Sequence, residues 1–162
     1  MLASMHKPFL ELTAADLMSR HVVVIPEEMS LRAAAHMLSQ AHVSGAPVVD
    51  ADGRCVGVLS ATDFLHWVDR GEQLVEPTQE EWANYCSEWQ VPAEELPADA
   101  VGKYMTADPV LVGLEASIID LARQMLDAHI HRLVVVDDRR CPIGIVSSTD
   151  LLAAVAYAHE RN

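Results

Sequence analysis

Basic residues are scarce in this 162-residue chain: 11 Lys and Arg stand against 24 Asp and Glu, a formal charge of −13. Nucleic-acid binding depends on a basic surface that releases counterions, so this balance argues against DNA or RNA as a partner. Long apolar runs are also missing. Hydrophobic residues make up 51% of the chain, yet no uninterrupted stretch approaches the roughly 18 residues of a membrane span, and no membrane partner is expected. The start, Met1 to Pro8, has neither a long apolar signal core nor an Arg-rich amphipathic stretch, so the expected location is cytoplasmic. Cysteine is rare: Cys55, Cys86 and Cys141 are odd in number and lack CxxC spacing. They fit small buried thiols better than disulfides or a zinc site. No Ser/His/Asp set, metal-ligand cluster or GxxxxGK[ST] phosphate loop is visible, so neither an enzyme nor a metal protein is expected.

What the chain does have is a repeat. Residues 16–65 slide by 87 positions onto residues 103–152 without a gap, and 15 of the 50 aligned positions are identical. Among the identities are Met18/Met105, Ser30/Ser117, His42/His129, Asp50/Asp137, Gly57/Gly144, Ser60/Ser147, Thr62/Thr149 and Asp63/Asp150. Two copies are too few for a solenoid. They point instead to a pair of half-modules about a pseudo-two-fold axis, sharing one core of the size that 162 residues can bury.

Each copy reads β-α-β-β-α. In the first, Val22–Ile25 is a short apolar strand ended by Pro26, Ser30 caps a helix, and Leu31, Ala34, Ala35 and Leu38 share one helix face. Residues 46–50 and 55–59 form a β-pair around an Asp52-Gly53 turn, and a closing helix takes in Phe64 to Val68. In the second copy the strands are 110–112, 133–137 and 142–146. Ser117 caps the first helix with Asp120 three residues on, and residues 151–156 form the last helix. The uninterrupted apolar strands predict sheets covered on both faces. The fold class is therefore α+β.

The connector carries its own pattern. From Asp69 to Asp99 there are nine acidic residues and one basic residue, Arg70. Trp82, Tyr85, Cys86 and Trp89 recur at helical spacing behind a Thr78/Glu81 capping pair. This acidic, Trp-containing helical insert is read as packing on its parent domain or as a contact surface.

Chemistry concentrates where Ser60-x-Thr62-Asp63 and Ser147-x-Thr149-Asp150 follow the third strand of each copy. Two readings stand. Thr or Asp at a helix start satisfies free backbone N–H groups. Alternatively, helix-start amides and hydroxyls hold phosphate while the carboxylate takes ribose hydroxyls. His42 and His129, at the end of each first helix, read as core or helix C-terminal residues rather than ligands.

The Met-Thr/Ser start, the Pro-Val-Val-Asp strand and the Gly-…-Ser-x-Thr-Asp ending resemble tandem cystathionine-β-synthase (CBS) domains. Residues 12–68 would form the first and residues 100–156 the second, with 69–99 as the insert. The stretch His131-Arg132-Leu133-Val134-Val135-Val136-Asp137 is similar to a strand in the γ subunit of AMP-activated protein kinase, where the His-Arg pair faces nucleotide phosphates.

The resemblance implies two repeats packed sheet to sheet, with two clefts, each taking a base-facing strand from one copy and a Ser-x-Thr-Asp from the other. One would use Val43, Ser44, Gly45 and Ala46 with Ser147, Thr149 and Asp150. The other would use Ile130, His131 and Arg132 with Ser60, Thr62 and Asp63. Lys103 would add positive charge to the second; the matching residue, Asp16, cannot do so in the first.

The implied function is a non-catalytic sensor for an adenosine-containing ligand. AMP, ADP or ATP lead, with S-adenosylmethionine or a dinucleotide such as NAD behind them. A homodimer and a regulated partner protein are expected. The alternative is a ligand-free structural module acting through its dimer surface and acidic insert.

Overall fold

The computed structural model describes residues 7–69 and 96–158. The Trp82/Tyr85/Cys86/Trp89 helix expected in the connector lies outside these residues. Two mixed sheets are present, one with strand order β1-β2-β3-β4 and one with order β5-β6-β7, so the α+β reading holds.

A short 3-10 turn at Phe9–Glu11 leads to α1 (Ala14–Leu17), β1 (Ile25–Pro26), α2 (Leu31–Gln40), β2 (Gly45–Val49), β3 (Cys55–Ser60) and α3 (Ala61–Asp69). After the connector come a 3-10 turn at Val101–Lys103, β4 (Thr106–Ala107), β5 (Leu111–Val112), α4 (Ile118–Asp127), β6 (Arg132–Val136), β7 (Pro142–Ser147) and α5 (Ser148–Ala158). The expected strand at 22–25 shrinks to Ile25–Pro26, paired in parallel with Val48 and Val49. Proline donates no ladder hydrogen bond, and here it is tolerated because β1 is an edge strand.

Helix ends follow local chemistry. The Ser30 hydroxyl accepts from Ala33 N–H at 3.2 Å, and the Ser117 hydroxyl accepts from Asp120 N–H at 3.2 Å. At the far ends, His42 and His129 both adopt left-handed backbone, each with φ of 53°. The next residues close the Schellman motif: Val43 N–H donates to Leu38 O at 3.1 Å and Ile130 N–H to Met125 O at 3.0 Å. The duplicated histidines are helix-terminating residues, as their position suggested.

The compact units are not the sequence repeats. Among the described residues, one comprises 7–22, 53–55 and 109–158; the other comprises 23–52, 56–69 and 96–108. The segment preceding each repeat's first strand has gone to the sheet of the other repeat, held by the same three backbone hydrogen bonds. In the first unit Ala14 N–H donates to Ala116 O (2.8 Å), Ala15 N–H to Leu114 O (3.0 Å) and Ile118 N–H to Leu12 O (2.9 Å). In the second, Val101 N–H donates to Met29 O (2.8 Å), Gly102 N–H to Glu27 O (3.0 Å) and Leu31 N–H to Asp99 O (2.9 Å). Each pair is related by the 87-residue offset of the repeat.

Each unit has its own core. Ile25, Leu31, Leu38, Val48, Leu59, Phe64, Leu96 and Val101 are buried together in one; Ala14, Met18, Leu121, Leu133, Val135 and Val146 in the other. Val101 stands in the first set although it belongs to the second repeat, and Leu96 just before it joins the same set. From Ala46 to Val49 every residue of β2 is buried, as expected for a strand covered on both faces, whereas β3 alternates. Cys55 is buried at the start of β3.

Two glycines admit the exchanged segments. A Cβ on Gly144 would strike the Met18 side chain, with Met18 Cγ at 2.9 Å; one on Gly57 would strike Met105 and approach Thr106 O to 2.9 Å. Real side-chain carbons do not come so close. Gly144→Val is therefore expected to destabilise the protein by about 2–3 kcal/mol through overpacking, lowering Tm by roughly 4–10 °C. Gly113 serves as the control, because a Cβ there would meet no atom within 4 Å: Gly113→Ala leaves Tm within about 2 °C. Thermal unfolding by circular dichroism measures both.

Candidate ligand site

The fourteen candidate residues divide between the units. Val43, Ser44, Gly45, Ala46, Ser60, Thr62, Asp63 and Lys103 belong to one; Ile130, His131, Arg132, Ser147, Thr149 and Asp150 belong to the other. In each, the approach to the central strand lies beside the junction between the returning strand and its helix.

That junction is built the same way twice. Ser60 N–H donates to Asp63 Oδ2 at 2.7 Å, and the Ser60 hydroxyl donates to the same oxygen at 3.1 Å. Ser147 N–H and hydroxyl donate to Asp150 Oδ2 at 2.7 and 2.8 Å, while the Ser147 hydroxyl accepts from Asp150 N–H at 3.3 Å. Serine rather than Thr or Asp is thus the residue before the helix, and the Asp reaches back to it as in a capping box. This moves the start of α3 from the expected Phe64 back to Ala61. It also exposes Thr62 and Thr149 in the first helical turn. Capping by itself accounts for the duplicated Ser and Asp.

The neighbouring strand start is pinned by one backbone bond in each unit: Ala61 N–H to Ser44 O at 3.0 Å, and Ser148 N–H to His131 O at 2.9 Å. At the next position the copies part. A Cβ on Gly45 would sit 2.9 Å from Leu59 O and 3.2 Å from Ser60 Cα, so glycine allows β2 to begin against the end of β3. The corresponding Arg132 pairs with Ser147 across β6–β7 and is exposed, as is His131. Val43 and Ile130 turn inward and pack on their cores, and Ala46 is buried. A glycine in close approach to the returning strand at one strand start and an exposed His-Arg pair at the other are the chemically distinct features of the two sets.

A hollow of about 510 Å³ opens in the unit containing Asp63. It is lined by Asp63, His66 and Trp67 of α3 and by Lys103, Tyr104, Met105 and Thr106. Trp67 Nε1 is buried and has no hydrogen-bond partner among the described residues. The Thr106 hydroxyl donates to Asp63 Oδ1 at 2.9 Å across 43 residues of sequence. His66, Trp67, Tyr104 and Thr106 were not singled out from the sequence. The Met105-Thr106 signature was the available signal, taken in the sequence only as a family mark.

Charge at this hollow is already balanced on one side. Lys103 Nζ lies 2.8 Å from Asp99 Oδ1, and the Tyr104 hydroxyl donates to Asp99 Oδ2 at 3.3 Å. The hydrogen bond and charge of Lys103 hold the Asp99 carboxyl below its usual range, and Asp99 in turn raises the Lys103 ammonium. Lys103 therefore presents its charge with a carboxylate of the acidic connector attached.

Asp16, at the matching position, is structural. Its Oδ2 accepts from Thr13 N–H and Thr13 hydroxyl, both at 3.0 Å, and lies 2.9 Å from Lys7 Nζ. Burial by itself would raise its pKa. The hydrogen bonds from Lys7 and Thr13, with the Lys7 charge, outweigh that and hold it below the ordinary 3.8.

Residues 14–70 and 101–157 each match the CBS domain family. Over 150 residues the chain is 29% identical to the uncharacterised protein MJ1426 of Methanocaldococcus jannaschii, covering 86% of this chain and 89% of that one. Two other curated relatives are longer, and the chain spans only 40% and 21% of them. Among solved structures, CBSX2 in complex with AMP superposes with a TM-score of 0.68 at 25% identity, covering 91% of this chain and 98% of that one. CBSX2 is a protein of Arabidopsis thaliana. MJ1225 of M. jannaschii, a putative archaeal homologue of the AMP-activated kinase γ subunit, shares the fold with a TM-score of 0.70 at 23% identity, covering 94% of this chain and 51% of that one. Duplicated α+β units with matched strand–helix junctions define a tandem-repeat module. The chain belongs to the CBS domain family.

Because the Asp16 carboxyl is depressed by folding, its contribution is fully present above the unfolded pKa of about 3.9 and is lost as pH falls through the lower folded value. Asp16→Asn, which keeps an acceptor oxygen but loses the charge beside Lys7, should cost about 0.5 kcal/mol at pH 7, and the Tm gap between variant and parent should close below about pH 4. A gap that stays constant from pH 7 to pH 3 would refute this role for Asp16.

Proposed function

We propose that this chain is a non-catalytic regulatory module that binds adenosine-containing ligands and controls a partner protein. AMP, ADP and ATP are the leading ligands, ahead of S-adenosylmethionine and NAD. The observation that carries the reading is Asp150: both Ser147 bonds fall on Oδ2, and its other oxygen, Oδ1, accepts no hydrogen bond from the described residues. A carboxylate oxygen held at a helix start with two lone pairs unused suits a pair of ribose hydroxyls. The AMP complex of CBSX2, similar over nearly its whole length, supports the same ligand class.

In this reading Asp150, Thr149 and Ser147 hold ribose and phosphate in one unit, and Val43, Ser44, Gly45 and Ala46 of the other unit are base-framing residues. Asp63, Thr62, Ser60 and Lys103 are the matching ribose and phosphate residues of their unit, and Ile130, His131 and Arg132 are the phosphate-facing residues of the other. The guanidinium of Arg132 forks onto phosphate oxygens with His131 as a second donor, which an anion needs on a chain of net charge −13. Ligand binding shifts the population of states that the partner reads.

Saturating AMP or ATP is expected to raise Tm by several degrees, the size that linkage gives at about 100 times Kd. Asp150→Ala should remove at least half of that rise. If millimolar AMP, ATP and S-adenosylmethionine all leave Tm unchanged, the ligand-free structural module takes its place. The capping bonds of Ser60, Asp63, Ser147 and Asp150 already suit that alternative.

A homodimer forms part of the proposal. Leu152 and Val155, three residues apart on one face of α5, are exposed by 68% and 53%, on a helix that has no buried residue. Leu152→Glu should convert a dimer to a monomer in light scattering coupled to size exclusion. An unchanged mass would remove α5 from the interface.

A further inference from the structure

We propose that Thr106 makes the two ribose-gripping carboxylates unequal, so that Asp150 takes both hydroxyls of a vicinal diol and Asp63 takes only one. The inference rests on the ligand class proposed above and goes beyond it by assigning sugar selectivity to one carboxylate and its loss to one hydroxyl.

An ionised carboxylate offers about four acceptor positions, two on each oxygen. Asp150 has two in use, both on Oδ2, from Ser147 N–H and hydroxyl. Asp63 has the same two in use from Ser60, and a third on Oδ1 from the Thr106 hydroxyl at 2.9 Å. Two positions remain on Asp150 Oδ1 and one on Asp63 Oδ1. A vicinal diol has two O–H groups to donate. It can place both on Asp150, but at Asp63 one must go unpaired or displace Thr106.

The difference comes from one position in the repeat. Thr106 sits opposite Val58 in the β3–β4 pairing, and Ser19 sits opposite Ile145 in the other unit, each at the same 87-residue offset. The backbone pairing is the same, but of the two only the threonine is hydrogen-bonded to its aspartate. The β-branch restricts the Thr106 side chain to few rotamers, which favours a fixed hydroxyl direction over the freer one of a serine. Thr106 and Asp63 both line the hollow described above, so the hydroxyl lies on the accessible side of the carboxylate. Thr106 is therefore a positioning residue for Asp63 and sets its remaining acceptor capacity.

The test compares AMP with 2′-deoxy-AMP by isothermal titration calorimetry. Asp63→Ala leaves the Asp150 site, which should bind AMP about tenfold or more tightly than 2′-deoxy-AMP, the scale of one hydrogen bond to a charged group. Asp150→Ala leaves the Asp63 site, which should prefer AMP by less than about threefold. Adding Thr106→Val to Asp150→Ala should raise AMP affinity and restore a preference of about tenfold. Thr106→Ser, which puts at this position the residue type that Ser19 has in the other unit, should move the preference part of the way toward that of Thr106→Val. Thermal unfolding of each variant checks that this exposed position has not disturbed folding.

Equal preferences with and without Thr106→Val, in protein that binds AMP, would overturn the role of Thr106 and leave the ligand class standing. Failure of the unmodified chain to bind either nucleotide would overturn the ligand class, and the selectivity claim with it.

Discussion

The structure depends on two close approaches over glycine. Met105 and Thr106 reach β3 above Gly57, and Met18 and Ser19 reach β7 above Gly144, because neither glycine has a Cβ to hold them off. Each approaching segment comes from the sequence that precedes the opposite repeat's first strand. Three matched backbone hydrogen bonds then secure it in each unit. The bonds pair backbone donors and acceptors of the two segments, and Leu96, Val101, Ala14 and Met18 add apolar contact. A side chain at either glycine would push these contacts apart together.

This exchange also decides what surrounds Asp63. Thr106 meets that carboxylate only because β4 lies beside β3, and Lys103 and Tyr104 line the hollow because the same segment carries them there. In the other unit the equivalent segment brings Ser19 and Asp16, the latter tied to Thr13 and Lys7 as a helix cap. One set of residues thus acquires a cation with an attached carboxylate and a third donor to its aspartate. The other keeps an open carboxylate oxygen. A duplicated backbone scaffold carries two different chemical environments.

The capping geometry bears on how the shared motif is understood. Serine and aspartate are needed in both copies to start a helix directly from a strand, whatever the ligand. Their duplication is therefore first a folding requirement. What capping leaves over is the exposed Thr62 and Thr149, the second oxygen of each aspartate, and the contrast between Ser44-Gly45 and His131-Arg132.

Local chemistry let the sequence by itself determine the two repeats, the order of elements in each, the serine caps and the histidine helix ends. Those features depend on residues within about a turn of one another, so periodicity and spacing report them. The family resemblance likewise rested on contiguous motifs and was upheld. The short first strands and the start of α3 were less legible, because an edge proline and a reciprocal Ser–Asp cap shift boundaries by a few residues. Tertiary structure alone decided which sheet each repeat's leading segment joins, and with it the Thr106–Asp63 bond, the Lys103–Asp99 pairing around the hollow and the unequal carboxylates. These contacts follow from close approach across distant parts of the chain, and no local pattern of residues encodes that approach.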